Sequence, residues 1–124
     1  MDDLERLKRA DKTLALLKDE WVLVEGQRDR KALSALGLGK ILTASGNLSK
    51  SCDYLQAQKA EKAFVLTDLD RRGGQLAILA KGELEARSIR ADLEARAVLA
   101  RCLRIKNFED AMRAYERLKE ETEK

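Results

Sequence analysis

Ala63-Phe64-Val65-Leu66-Thr67-Asp68-Leu69-Asp70 is the stretch that decides the fold. An unbroken apolar run with β-branched and aromatic residues reads as a strand covered on both faces. It stops abruptly at two acids. Trp21-Val22-Leu23-Val24 is a run of the same kind, halted at Glu25-Gly26. Lys40-Ile41-Leu42-Thr43 is another, running into Ala44-Ser45-Gly46-Asn47. Between these runs the apolar period becomes helical. Arg28 to Leu36 carries Ala32, Leu33, Ala35 and Leu36 on one side and is closed by Gly37. Leu48 to Ala60 turns Leu48, Cys52, Tyr54 and Leu55 inward, and Gly73-Gly74 opens a helix carrying Leu76, Ile78, Leu79 and Leu84. Strands alternating with helices of this length predict a mostly parallel α/β sheet.

The flanks add helices. Leu4, Leu7, Leu14 and Leu17 recur at helical spacing, which predicts an amphipathic helix over about residues 3–19. Ile89 to Leu93, with charges at Arg90 and Asp92, suits an edge strand. The stretch from Leu93 to Leu103 also repeats at helical intervals, so both readings stand. A last helix is expected over about residues 107–122, capped by Asn107 with Glu109 and Asp110 in its first turn. A chain of 124 residues is one domain by size, spanning 1–124.

Composition removes several chemistries. The chain contains no His, and Cys52 and Cys102 lie far apart. Imidazole or thiolate metal sites and every His-based nucleophile system are therefore excluded. A metal here is a hard cation on carboxylates and water. The net charge of +3 is too small to name a partner by itself. No apolar run reaches membrane length, and Met1-Asp2-Asp3-Leu4-Glu5 does not read as a signal peptide. A cytoplasmic protein with reduced thiols and no membrane association is the expectation. Gly37-Leu38-Gly39 closes a helix instead of following a strand, so it is no dinucleotide loop.

Ligands of open parallel sheets bind at the carboxyl ends of the strands. Glu25 falls at one such end and Asp68 and Asp70 at another, so neighbouring strands would gather three acids. Such a cluster calls for a counter-charge, and Mg²⁺ is the obvious one. Arg28, Arg30, Lys31, Arg71 and Arg72 lie near the same edge, which suits a phosphodiester or polyphosphate. Gly26 and Gly73-Gly74 would let backbone approach a ligand closely. Each item alone has a plainer reading: Asp68 as a helix cap, Asp29 as a first-turn helix residue, Arg71-Arg72 as solvated surface. The combination at two strand ends is what points to a site. It predicts the Glu25, Asp68 and Asp70 carboxylates within about 4–8 Å of one another.

Val24-Glu25-Gly26-Gln27-Arg28-Asp29, with Ala32-Leu33 downstream, and Val65-Leu66-Thr67-Asp68-Leu69-Asp70-Arg71-Arg72-Gly73 together resemble the Toprim domain of topoisomerases, primases and some nucleases. The resemblance spans residues 21–93. It is similar to the small stand-alone Toprim proteins of archaea and bacteria, which are related to the nuclease that matures 5S ribosomal RNA. The resemblance implies a compact three-layer, Rossmann-like domain with a four-stranded sheet. It also implies Glu25 as general acid or base, Asp68 and Asp70 as Mg²⁺ ligands with Mn²⁺ as substitute, and Asp29 and Gly73 as structural residues. In topoisomerases a third acid often follows the pair; Arg72 stands there here, which favours the primase and small-nuclease branch.

Three functions follow from this reading. The first is Mg²⁺-dependent nuclease or ribonuclease chemistry, with catalytic Glu25, Asp68 and Asp70 and with Arg28, Lys31, Arg71 and Arg72 on the RNA or DNA phosphates. The second is a non-catalytic module that binds nucleic acid, a protein partner or a second copy of itself. The third is primase-like nucleotidyl transfer.

Overall fold

The computed structural model describes residues 1–123. In chain order the elements are α1 (Asp3–Leu17), β1 (Trp21–Val24), α2 (Gln27–Ala35), β2 (Lys40–Thr43), α3 (Leu48–Ala57), β3 (Lys62–Leu66), α4 (Arg71–Glu85), β4 (Arg90–Asp92) and α5 (Glu94–Leu103). A 3-10 turn (Phe108–Asp110) and α6 (Ala111–Thr122) complete the chain. The four strands form one sheet in the order β2-β1-β3-β4, parallel at every pairing. This is the compact α/β architecture expected from the alternating apolar runs.

Strand residues alternate between two cores, as the pleat requires. Val22, Val24, Phe64 and Leu66 face a layer supplied by α1, α2, α5, α6 and the 3-10 turn, around Leu17, Leu33, Leu99 and Phe108. Leu23, Ala63 and Val65 face the opposite layer, with Cys52 and Leu55 of α3 and Ala77, Ala80 and Leu84 of α4. Fully burying a Leu or Phe side chain stabilises the fold by roughly 1.5–3 kcal/mol. Both central strands contribute to both layers, which explains why their apolar runs have no polar alternation.

The topology positions the site. From β1 the chain passes through α2 on one face to β2. It then returns across the sheet, so that β3 lies on the other side of β1 and α4 leaves β3 toward the opposite face. The carboxyl ends of β1 and β3 therefore open side by side at a topological switch point, where adjoining connections diverge and leave a crevice.

Several local expectations change. Helix α4 begins at Arg71, not at Gly73-Gly74, because the Asp70 carboxylate accepts from the Gly73 N–H at 2.6 Å and caps it. The buried stripe of α4 is Gly73, Ala77, Ala80 and Leu84, which leaves Ile78 and Leu79 exposed. The edge strand and the helix that competed for residues 89–103 both form, meeting at Leu93. Asn107 precedes a 3-10 turn instead of an α-helix and makes no side-chain cap bond, and α6 starts only at Ala111. Tyr54 is half exposed, standing edge-on to Trp21 with ring centroids 5.9 Å apart.

Candidate functional site

Glu25 leaves the end of β1 and reaches across to β3, where its Oε1 accepts from the Asp68 N–H at 2.9 Å. Asp68 in turn uses Oδ1 to accept from the Phe108 N–H at 2.9 Å, which ties the 3-10 turn to the sheet. Asp29, buried in the first turn of α2, returns its Oδ2 to the Gly26 N–H at 3.1 Å. Four carboxylates, those of Glu25, Asp29, Asp68 and Glu109, thus line one cavity of about 440 Å³, whose wall also includes Gly26, Arg28, Arg72 and Asn107.

The negative charge there is under-compensated. Asp68 is pushed up to about 6, chiefly because burial disfavours its charged form. The Phe108 N–H opposes that rise, while the charges of Asp29, Glu25 and Asp70 add to it. The Asp29 carboxyl is also raised, first by burial and then by Glu25 and Glu109. Perturbed carboxyls gathered at a strand-end cavity are a usual mark of a working site.

The backbone beneath Asp68 is tightly held. Arg96 of α5 donates from Nε to the Thr67 carbonyl at 2.7 Å and from Nη2 to the Asp68 carbonyl at 2.6 Å. The Thr67 hydroxyl, fully buried, donates to the Gly73 carbonyl at 2.6 Å. Leu69 N–H donates to the Lys106 carbonyl at 2.6 Å. Gly73 is required by close approach, since a Cβ there would stand 1.9 Å from the Asp68 carbonyl oxygen. Gly26 differs: a Cβ there would meet nothing within 4 Å, so no close approach of protein atoms requires a glycine at that position.

The residues singled out from the sequence are thus distributed unequally. Glu25, Gly26, Asp29 and Asp68 surround the cavity, with Arg28 and Arg72 at its rim. Arg28 is almost fully exposed, and Glu109 is the carboxylate beside it, at 3.8 Å. Asp70 is near enough to raise Asp68 but spends an oxygen on the α4 cap and does not line the cavity. Lys31 sits one turn along α2, in a neighbouring depression against α6, and Arg71 points into solvent. Arg96, Asn107 and Glu109 belong to the site and carry no local sequence signal, because they arrive from distant elements. Both cysteines are buried with thiols pushed up by burial, so neither offers a thiolate.

Among the described residues no three His, Cys, Asp or Glu side chains stand ready to enclose a metal ion. The donor chemistry nevertheless suits a hard cation. Mg²⁺ characteristically takes one or two protein carboxylates, keeps several waters and completes its shell with substrate phosphate. Glu25 and Asp68 each have one carboxylate oxygen engaged by a backbone N–H, which leaves the other for such an ion. No helix among the described residues is long and apolar enough to cross a membrane.

No family model matches the chain. A solved protein structure from Aquifex aeolicus superposes with a TM-score of 0.70 at 26% identity, covering 81% of this chain and 95% of that one. A UPF0292 protein of Thermococcus onnurineus is 33% identical over 115 residues, covering 90% of this chain and 86% of the relative. A UPF0292 protein of Methanosarcina barkeri is 32% identical over 106 residues, covering 77% and 74%. That of Pyrococcus horikoshii is 31% identical over 119 residues, 93% of this chain and 90% of its own length. With more than 30% identity to these relatives over more than two thirds of each chain, this chain belongs to the UPF0292 family.

Proposed function

We propose that this protein is a Toprim-type, Mg²⁺-dependent phosphodiester enzyme that cleaves nucleic acid in the cytoplasm. The observation that carries the reading is the Glu25–Asp68 contact at the switch point, with Asp68 pushed up to about 6 by burial and three neighbouring acids. Glu25 and Asp68 would hold the cation, with Asp70 supplying negative charge from the start of α4. The chemistry that Mg²⁺ or Mn²⁺ would supply there is neutralisation of charge at the phosphoryl oxygens and acidification of a water.

The chain's own groups have separable tasks in this scheme. Glu25 is oriented by the Asp68 N–H through Oε1, and its other oxygen would face the cation through a water whose proton it takes. Arg28 and Arg72, at the rim, engage the substrate phosphate by charge-assisted hydrogen bonds. Asp29 holds the first turn of α2 and the Gly26 backbone in place. Arg96 fixes the carbonyl end of β3, and with it the direction of Asp68. Because a cation needs the ionised carboxylate, the affinity for Mg²⁺ should rise with pH up to about 6 and level off above it.

A second reading, a binding module that relies on another subunit for chemistry, is favoured by one observation. Asp70 is occupied as a helix cap, and no three acids form a ready cage among the described residues. The two readings separate in one experiment. Purified protein is incubated with labelled structured RNA, single-stranded DNA and duplex DNA in Mg²⁺, Mn²⁺ or EDTA, beside the double variant Asp68→Asn/Asp70→Asn. Metal-dependent cleavage that vanishes in the variant establishes the enzyme. Metal-sensitive retention without cleavage establishes the module, and cleavage that survives in the variant overturns the site.

A further inference from the structure

The segment that buttresses Asp68 has a second side, and its charge is the opposite of the first. Between α6 and the 104–110 segment lies a cavity of about 520 Å³ lined by Arg104, Lys106, Arg113 and Arg117 together with the buried Arg6. Among the described residues only Asp110 and Glu121 stand among these five cations. Asp110 is paired with Arg113, and Arg6 is engaged by Asp3 and the Cys102 carbonyl. Among the described residues Arg104, Lys106 and Arg117 have no carboxylate within ion-pair distance. Three exposed cations converging on one cavity without partners make a site of positive potential.

The position of Arg104 adds to this. It follows α5 with a φ of 54°, in the left-handed region where glycine or asparagine is usual. The chain accepts that conformation and keeps a charged side chain on the cavity wall. No aromatic side chain lines the cavity, so there is no platform for stacking bases. What remains is recognition of phosphate charge, which positions a nucleic acid without reading its sequence.

The basic cavity is also joined to the acidic one. Asn107 lines both. The residues on either side of it are tied to the end of β3, Lys106 by its carbonyl to Leu69 and Phe108 by its N–H to Asp68. We infer that the groove formed by Arg104, Lys106, Arg113 and Arg117 tracks the sugar–phosphate backbone of a nucleic acid and presents the adjoining phosphodiester, across Asn107, to Glu25 and Asp68. The inference rests on the reading of the acidic cavity as a phosphodiester site. It moves the main phosphate contacts from the rim arginines of α2 and α4 to the C-terminal segment.

The test is equilibrium binding in EDTA, where no metal can bridge a phosphate to the acids. Fluorescence anisotropy is followed across a salt series with a labelled RNA hairpin and a labelled DNA duplex. The proteins are the wild type, Arg104→Gln/Arg117→Gln and, as a cation outside the groove, Lys81→Gln. Each lost phosphate contact removes about 0.9 from the slope of log K against log salt on duplex DNA. The double arginine variant should therefore lower that slope by about two, while Lys81→Gln keeps the full slope. The tighter probe names the nucleic acid. An unchanged slope and affinity in the arginine variant, or no binding of either probe by the wild type, would overturn the groove. Failure of the enzyme reading looks different: the groove variant loses binding, yet no protein cleaves when Mg²⁺ is restored. Arg104 and Arg117 are both exposed, so the variant keeps the core intact.

Discussion

At the carboxyl end of β2 the chain turns through Gly46, and Asn47 caps α3 by accepting from the Lys50 N–H at 3.0 Å. At the carboxyl end of β3, Asp70 caps α4 by accepting from the Gly73 N–H in the same manner. The local plan is shared, yet of the two ends only that of β3 carries a perturbed carboxyl, Asp68. The difference comes from outside each segment. β2 is an edge strand, whereas β3 is central, and its end receives Glu25 from β1, Arg96 from α5 and the Phe108 N–H from the 3-10 turn. A strand end becomes a site here through what the topology brings to it, and the cap is incidental.

The comparison breaks most severely at Gly73. An alanine there meets the Asp68 carbonyl oxygen at 1.9 Å and its carbon at 2.6 Å, and backbone cannot yield as a flexible side chain would. Gly73→Ala should cost about 3 kcal/mol in urea or thermal unfolding. Gly74→Ala, with open space, should be neutral or slightly stabilising. Equal effects of the two would show that the close approach is not essential.

Arg96 is the next largest. Arg96→Met keeps much of the volume but withdraws both donors from the Thr67 and Asp68 carbonyls. A loss of about 2 kcal/mol in thermal unfolding is expected, with cleavage falling alongside. A variant as stable as wild type would mean that Arg96 does not hold the β3 end.

Asp68→Asn should act in the opposite direction. Asparagine can still accept from Phe108 N–H while removing a charge that its surroundings oppose. Folding raises this carboxyl from 3.8 to about 6, so the native state binds more protons than the unfolded one across that interval. Stability therefore falls as pH rises through it, and below it the effect is absent. Near neutral pH the variant should be more stable by about 1 kcal/mol, allowing for solvent screening. Its stability should also vary less between pH about 4 and about 6. A less stable Asp68→Asn near neutral pH would contradict the electrostatic account.

The smallest stability change sharpens the comparison of the two caps. Asn47→Ala should cost about 1 kcal/mol and leave cleavage untouched. Asp70→Asn keeps a good cap and should stay within about 0.5 kcal/mol of wild type. Its loss of charge beside Asp68 should still lower cleavage about tenfold or more. Equal cleavage by both variants would place Asp70 outside the site.

These particulars show what local sequence could convey. The buried strands were readable because runs such as Trp21–Val24 and Lys62–Leu66 face apolar layers on both sides and so lack alternation. Glu25 and Asp68 could be placed at one edge because parallel strands share a direction. The start of α4 was misplaced because Gly73-Gly74 resembles an opening turn, while Gly73 serves the close approach to Asp68. The roles of Arg96 and the 104–110 segment at the site were not legible, since Asn107, Glu109 and Asp110 read only as the cap and first turn of a helix. One arginine among many in α5 gains its meaning only where β3 ends, and the basic groove needs α6 folded back beside it.

The central claim is that Asp68 sits in under-compensated negative charge that a hard cation relieves. The direct measurement is the Asp68 carboxyl titration by carboxyl-carbon NMR, with and without Mg²⁺. The account predicts a midpoint of about 6 in EDTA and a clear downward shift when Mg²⁺ is added. An Asp68 that titrates in the ordinary carboxylate range and ignores Mg²⁺ would contradict it.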